Sequence, residues 1–100
     1  MDLQIVAKKR FLNSFKNITL YLKQQWGKKV AEDFNKIVLH KLDLIASQPY
    51  IGANTAVKNT RSVLIGKGYQ NKIYYRVEQK KLIIINLKDI RRNPKQNRYT

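Results

Sequence analysis

Apolar residues at Ala7, Phe11, Phe15, Ile18 and Leu22 recur every three or four positions, while Lys8, Lys9, Arg10, Lys16 and Lys23 fall mostly off that line. This is the spacing of an amphipathic helix with one face toward a core. The helix is expected to end at "WG", because Gly27 takes left-handed backbone angles without a Cβ penalty. A second stripe follows at Ala31, Phe34, Val38, Leu42 and Ile45, widened by Val30, Ile37 and Leu44. It closes at "ASQPYIG", where Pro49 disfavours helical geometry at Gln48. Residues 7–47 therefore predict an antiparallel helical hairpin, preceded by a short strand "LQIV" at 3–6.

Beyond the hairpin the period changes. "NTAVKNT" is polar and turn-rich, and then "RSVLIG" (61–66), "NKIYYRVE" (71–78) and "KLIIINLKD" (81–89) carry β-branched and aromatic residues at strand lengths. The connections "GKGYQ" and "QKK" are short enough for hairpins. Strand 82–87 is apolar on both faces and should be central. The order β-α-α-β-β-β predicts one α+β domain over residues 1–100. A short N-terminal strand and a helical hairpin pack on a twisted antiparallel sheet at 61–89, and a basic tail follows at 93–100.

Alternation assigns faces. Ile73, Tyr75 and Val77 share one side of their strand and suit the helix-covered core, leaving Lys72, Tyr74, Arg76 and Glu78 on the other. On the last strand Ile83, Ile85 and Leu87 form one set. Leu82, Ile84, Asn86 and Lys88 form the other, with Asn86 and Lys88 extending the open polar face.

Charge sharpens the picture. Lys and Arg number 21 against 6 acids, a formal +15. A folded domain this cationic attracts polyanions: nucleic acid, an acidic protein or an anionic surface. Without cysteine there is neither a disulfide nor a thiolate metal site. The lone His40 leaves transition-metal sites and Ser–His–Asp triads without their residues. The glycines fit no phosphate-cradling motif, so no cofactor or metal is expected. "MDLQIVAKKRF" is unlike a secretory signal, and "LIIINL" is too short to span a bilayer. A cytoplasmic protein with no membrane partner is expected.

What chemistry remains belongs to cations and phenols on strands. Arg61 opens one strand, Arg76 lies within the next, and Arg91 and Arg92 follow the last. Converging at one rim of a curved sheet, with Tyr74 and Lys88 beside them, they would bind phosphates or a charged target. The guanidinium fork suits such ligands because it donates two parallel hydrogen bonds.

"QQWG", "ASQPYIG", "IYYRV" and "IIINLKDIRRNP", in this order and spacing, resemble the RelE/ParE superfamily of bacterial type II toxin–antitoxin toxins over nearly the whole chain. The resemblance implies a growth-inhibiting toxin neutralised by a cognate, acidic antitoxin. Phe11, Phe15, Leu22, Phe34 and Val38 are the expected receiving groove. Two branches of the family differ in target. RelE-like members cleave mRNA in the ribosomal A site: a base takes the 2′-OH proton, Arg stabilises the phosphate, and Tyr or His acts near the leaving oxygen. On that branch the catalytic candidates are Arg61, Lys72, Arg76, Arg92 and Tyr99. ParE-like members inhibit DNA gyrase without that set. Here "SVLIG" stands where the ribonuclease branch has lysines, and Asp89 stands where a histidine would follow. These departures favour a gyrase-type target, with ribosome-dependent cleavage as the alternative. A non-toxic basic nucleic-acid-binding module rests on charge alone.

Overall fold

A computed structural model describes residues 3–66 and 71–89. In chain order the elements are β1 (Gln4–Ala7), α1 (Lys9–Trp26), α2 (Lys28–Ser47), β2 (Ala53–Asn54), β3 (Arg61–Leu64), β4 (Asn71–Glu78) and β5 (Lys81–Asp89). Gly27 alone separates the helices. At φ 98° it sits where an L side chain is strained, and its N–H still closes α1 by donating to the Lys23 carbonyl at 3.0 Å. α2 ends at Ser47 and is capped by Gln48, next to Pro49 as expected, with the Gln48 N–H on the Leu44 carbonyl at 2.9 Å. No helix among the described residues is long and apolar enough to cross a membrane.

The strands lie in the order β1-β5-β4-β3-β2, with β5 between β1 and β4 as its apolar run requires. The fold class is the expected one, with two refinements. β1 pairs with β5 in parallel, so the sheet is mixed rather than antiparallel throughout. Parallel neighbours need a long connection, and here the helical hairpin and the β2–β4 segment lie between them. The polar stretch after α2 also contributes a two-residue edge strand, β2, antiparallel to β3.

Both helices cover one face of the sheet. Phe11 of α1 meets Phe34, Val38, Leu42 and Ile45 of α2 over Ile73, Tyr75, Leu82, Ile84 and Leu87. Phe15 joins the helices at its ring, 5.7 Å from Phe11 and 6.1 Å from Phe34 between centroids, in tilted geometry. On the outer side of the hairpin the Thr19 hydroxyl donates to the Asn35 Oδ1 at 2.8 Å.

A bulge in β5 overturns the face assignment made from strict alternation. Tyr75 pairs with Ile84 and Tyr74 with Asn86, which leaves Ile85 as the extra residue. Leu82 and Ile84 face the helices before the bulge and Leu87 does so after it, so neither 83/85/87 nor 82/84/86/88 forms a single face. Asn86 belongs to no open polar face. It is buried, accepting at Oδ1 from the Ser14 hydroxyl of α1 at 3.1 Å and from the Leu87 N–H at 2.8 Å. The tight turn from β4 to β5 is also unusual. Gln79 (φ 50°) and Lys80 (φ 63°) both hold left-handed angles without a glycine, the geometry that suits the right-handed twist of a two-residue hairpin.

Candidate functional site

The register of β3 on β4 decides where the cations go. Arg61 lies opposite Tyr75, and directly opposed residues share a face. Tyr75 is in the helix-side core, so Arg61 projects on the helix side of the sheet. Arg76 is the next residue along β4 and projects on the other side. The expected convergence of Arg61 with Arg76 is therefore not formed. Each has its own local partner: Arg61 Nη1 donates to the Gly52 carbonyl at 2.8 Å, and Arg76 Nε donates to Glu78 Oε2 at 2.8 Å. Arg91, Arg92 and Tyr99 lie outside the described residues.

The face that carries Arg76 does hold Lys72 and Lys88, directly opposite each other across β4 and β5 and both half-buried. Like charges placed directly opposite each other repel. Tyr74 lies on the same face, but its residue is only 2% exposed, and its cross-strand neighbour Ser62 is also buried. The expected open phenol is thus withdrawn from the surface.

The helix candidates need a similar correction. Phe11, Phe34 and Val38 are buried in the core, and Phe15 and Leu22 are half-buried against it. Phe11, Phe34 and Val38 are therefore core rather than groove, while Phe15 and Leu22 keep part of their surface accessible. The apolar side chains exposed on the helices are Leu12, Leu20, Tyr21, Trp26, Val30 and Leu39. Leu12, Thr19 and Trp26 repeat at seven-residue spacing along one flank of α1. Asn35 and Leu39 are i, i+4 neighbours on α2, and the Thr19–Asn35 bond marks the seam between the two flanks.

What sequence reading missed is a constellation around the loop after α2. The Tyr75 phenol donates to the Pro49 carbonyl at 2.8 Å and accepts from the Gly52 N–H at 3.0 Å, from inside the core. Arg61 grips the same loop through the Gly52 carbonyl, and its guanidinium lies 5.2 Å from the centre of the Tyr50 ring, a cation–π distance. Gly52 fits because nothing larger would: a Cβ there would stand 2.9 Å from the Ser62 carbonyl oxygen and closer still to the Tyr75 hydroxyl. Arg61, Tyr50, Asn54, Asn59 and Val77 line a cavity of about 270 Å³ at this end of the sheet. "QPYIG" carried a signal for this, since a Pro–Gly loop with an embedded tyrosine must be anchored by something.

Burial raises the Tyr75 pKa above the ordinary 10.0, and the Gly52 hydrogen bond and the Arg61 charge oppose that only in part. A raised folded-state value means that the folded protein keeps a proton the unfolded chain releases. The associated stability is complete below about pH 10 and is lost as pH rises beyond it. In urea titrations the wild type is expected to lose stability above about pH 10 more steeply than Tyr75→Phe. Parallel curves for the two proteins would contradict the burial of this phenol.

A helical hairpin on one face of a small mixed sheet, in a strongly cationic chain, is the architecture of the RelE/ParE toxins. The family profile described as ParE toxin of type II toxin–antitoxin system, parDE, matches residues 5–94, and the chain belongs to that family. Among solved structures, the chain is similar to one titled "Chromosomal ParDE TA system from P. aeruginosa". The TM-score is 0.77 at 12% identity, over 87% of this chain and 95% of that one. It is also similar to the YoeB dimer from Staphylococcus aureus, with TM-score 0.61 at 15% identity, over 88% of this chain and 97% of that one. At these identities the likeness is one of fold. No curated protein matches at a significant level.

Proposed function

We propose that this toxin arrests growth by holding a protein target, DNA gyrase in the first instance, rather than by cutting RNA. The observation that carries this reading is the placement of Arg61 and Arg76 on opposite faces of the sheet, each tied to a local partner. Phosphodiester cleavage needs its cations and its proton-transfer groups within hydrogen-bond reach of one scissile phosphate. Arg61 instead projects on the helix side beside the α2–β2 loop, Arg76 is paired with Glu78 on the other side, and Tyr74 is buried. The ParE family membership supports the same reading.

The opposed pair Lys72 and Lys88 is what favours the second reading, ribosome-dependent mRNA cleavage, with Arg92 and Tyr99 as the further groups it would require. Induction without antitoxin separates the two. A DNA-damage response with intact bulk mRNA, together with inhibition of supercoiling by the purified protein, is the expected result. Mapped mRNA 5′ ends clustered at fixed codon positions, with gyrase unaffected, would overturn it.

The partner that holds the toxin silent is an antitoxin, as the parDE pairing of the family supports. An acidic, amphipathic segment suits the seam of Leu12, Trp26 and Leu39, where apolar side chains stand among lysines on the hairpin. Both encounters belong in the cytoplasm.

A further inference from the structure

We infer that the cavity beside the α2–β2 loop is a nucleotide-binding subsite, taking a 5′-phosphorylated nucleoside with its phosphate on Arg61 and its base against Tyr50. Four features converge on one small volume. Arg61 is half-buried, and it has no carboxylate partner among the described residues. Among the described residues only its Nη1 is engaged, by the carbonyls of Gly52 and, more distantly, Tyr50 at 3.5 Å, which leaves Nε and Nη2 to meet an incoming anion. The Tyr50 residue is 68% exposed although the guanidinium lies against its ring, which leaves aromatic surface for stacking.

The amides of Asn54 and Asn59 line the same space, and neither makes a side-chain hydrogen bond within the described residues. Each offers both a donor and an acceptor, the pair of functions that a base edge presents. Val77 closes the wall with an apolar surface. At about 270 Å³ the cavity lies just under the range of about 300–1,000 Å³ usual for drug-sized ligands, and it matches one nucleotide rather than a longer segment. A carboxylate side chain from a protein would satisfy Arg61 but leave the ring and both amides unused. The set as a whole favours a planar heterocycle attached to an anion. Arg61 and the cavity lie on the helix side of the sheet, away from the Lys72–Lys88 pair, so this subsite stands independently of the target proposed above.

A chain of net charge +15 will attract phosphate at many places, so the test must localise binding. Amide chemical shifts of the labelled full-length protein are followed while 5′-AMP, 5′-CMP, adenosine, inorganic phosphate or a short oligoribonucleotide is added. The nucleotides are expected to bind with a Kd of about 1 mM or tighter, moving resonances of Tyr50–Arg61 and Val77. Adenosine and phosphate alone should bind at least about tenfold more weakly. Tyr50→Ala and Asn59→Asp, both at exposed positions, should weaken nucleotide binding by about tenfold with melting temperature unchanged. A tighter response to the oligoribonucleotide than to 5′-AMP would identify the source as an RNA chain, and equal responses would identify a free nucleotide. Shifts spread over the lysine-rich surfaces, phosphate matching 5′-AMP, or binding indifferent to Tyr50→Ala would each overturn the assignment.

Discussion

Phe34→Ala is expected to cost about 3–5 kcal/mol of folding stability, measured by urea or thermal denaturation of the free toxin. Phe34 is 0% exposed and lies where α1, α2 and the sheet meet, with the Phe15 ring 6.1 Å away. Removing the ring leaves a cavity that a backbone held by two helices closes only in part. Domains of this size carry about 5–15 kcal/mol in total, so the variant would be marginal at physiological temperature and its toxicity would fall for that reason alone. This separates a core role from the groove role that the helical stripe first suggested. A core residue, once lost, leaves the docking surface in place, so antitoxin should still bind Phe34→Ala and restore much of its stability by mass action. Leu39→Asp is the opposite case: an exposed position whose change should leave melting intact and weaken antitoxin binding. Normal stability for Phe34→Ala, with antitoxin binding abolished, would return Phe34 to the interface.

The helical hairpin was legible because a period of three to four residues is written into the side chains themselves, and Gly27 and Pro49 punctuate it unambiguously. A stripe reports which residues turn inward. It cannot report which lie at the margin of the buried band: Phe11, Phe34 and Val38 lie inside it, while the exposed Leu12 and Leu39 fall off the stripe. The sheet was legible in its strands and illegible in its register. A slip of one residue moves a side chain to the opposite face, and the positions of Arg61 relative to Arg76 depend wholly on Arg61 pairing with Tyr75. The bulge at Ile85 leaves no composition signal in a run of isoleucines, yet it turns Leu87 into the core. Parallel pairing of β1 was equally hidden, because a four-residue strand pairs in either direction. The loop anchored by Arg61 and Tyr75 depends on contacts 9 and 26 residues apart in sequence, which no local pattern encodes.

That loop gives the second large effect. Gly52→Ala is expected to cost about 3 kcal/mol, combining overpacking of about 1–3 kcal/mol with a weakened bond from the Gly52 N–H to the buried phenol. The new Cβ would stand inside contact distance of the Tyr75 hydroxyl and 2.9 Å from both Tyr75 Cε1 and the Ser62 carbonyl oxygen. None of these is the far end of a flexible chain: the ring is packed in the core and the carbonyl belongs to β3. Tyr75→Phe should cost about 1–3 kcal/mol, because it strands the Gly52 N–H and removes the donor to the Pro49 carbonyl. The two costs must not add. Deleting the hydroxyl also deletes the nearest obstacle to the alanine methyl, so the double variant should be more stable than the sum predicts by about 0.5–3 kcal/mol. Recovery stays incomplete because the Ser62 carbonyl and the ring carbon remain. Strict additivity in a double-mutant cycle would mean that the phenol and Gly52 do not touch. The α2–β2 loop, and with it Tyr50 and the cavity beside it, would then have to be held by Arg61 alone.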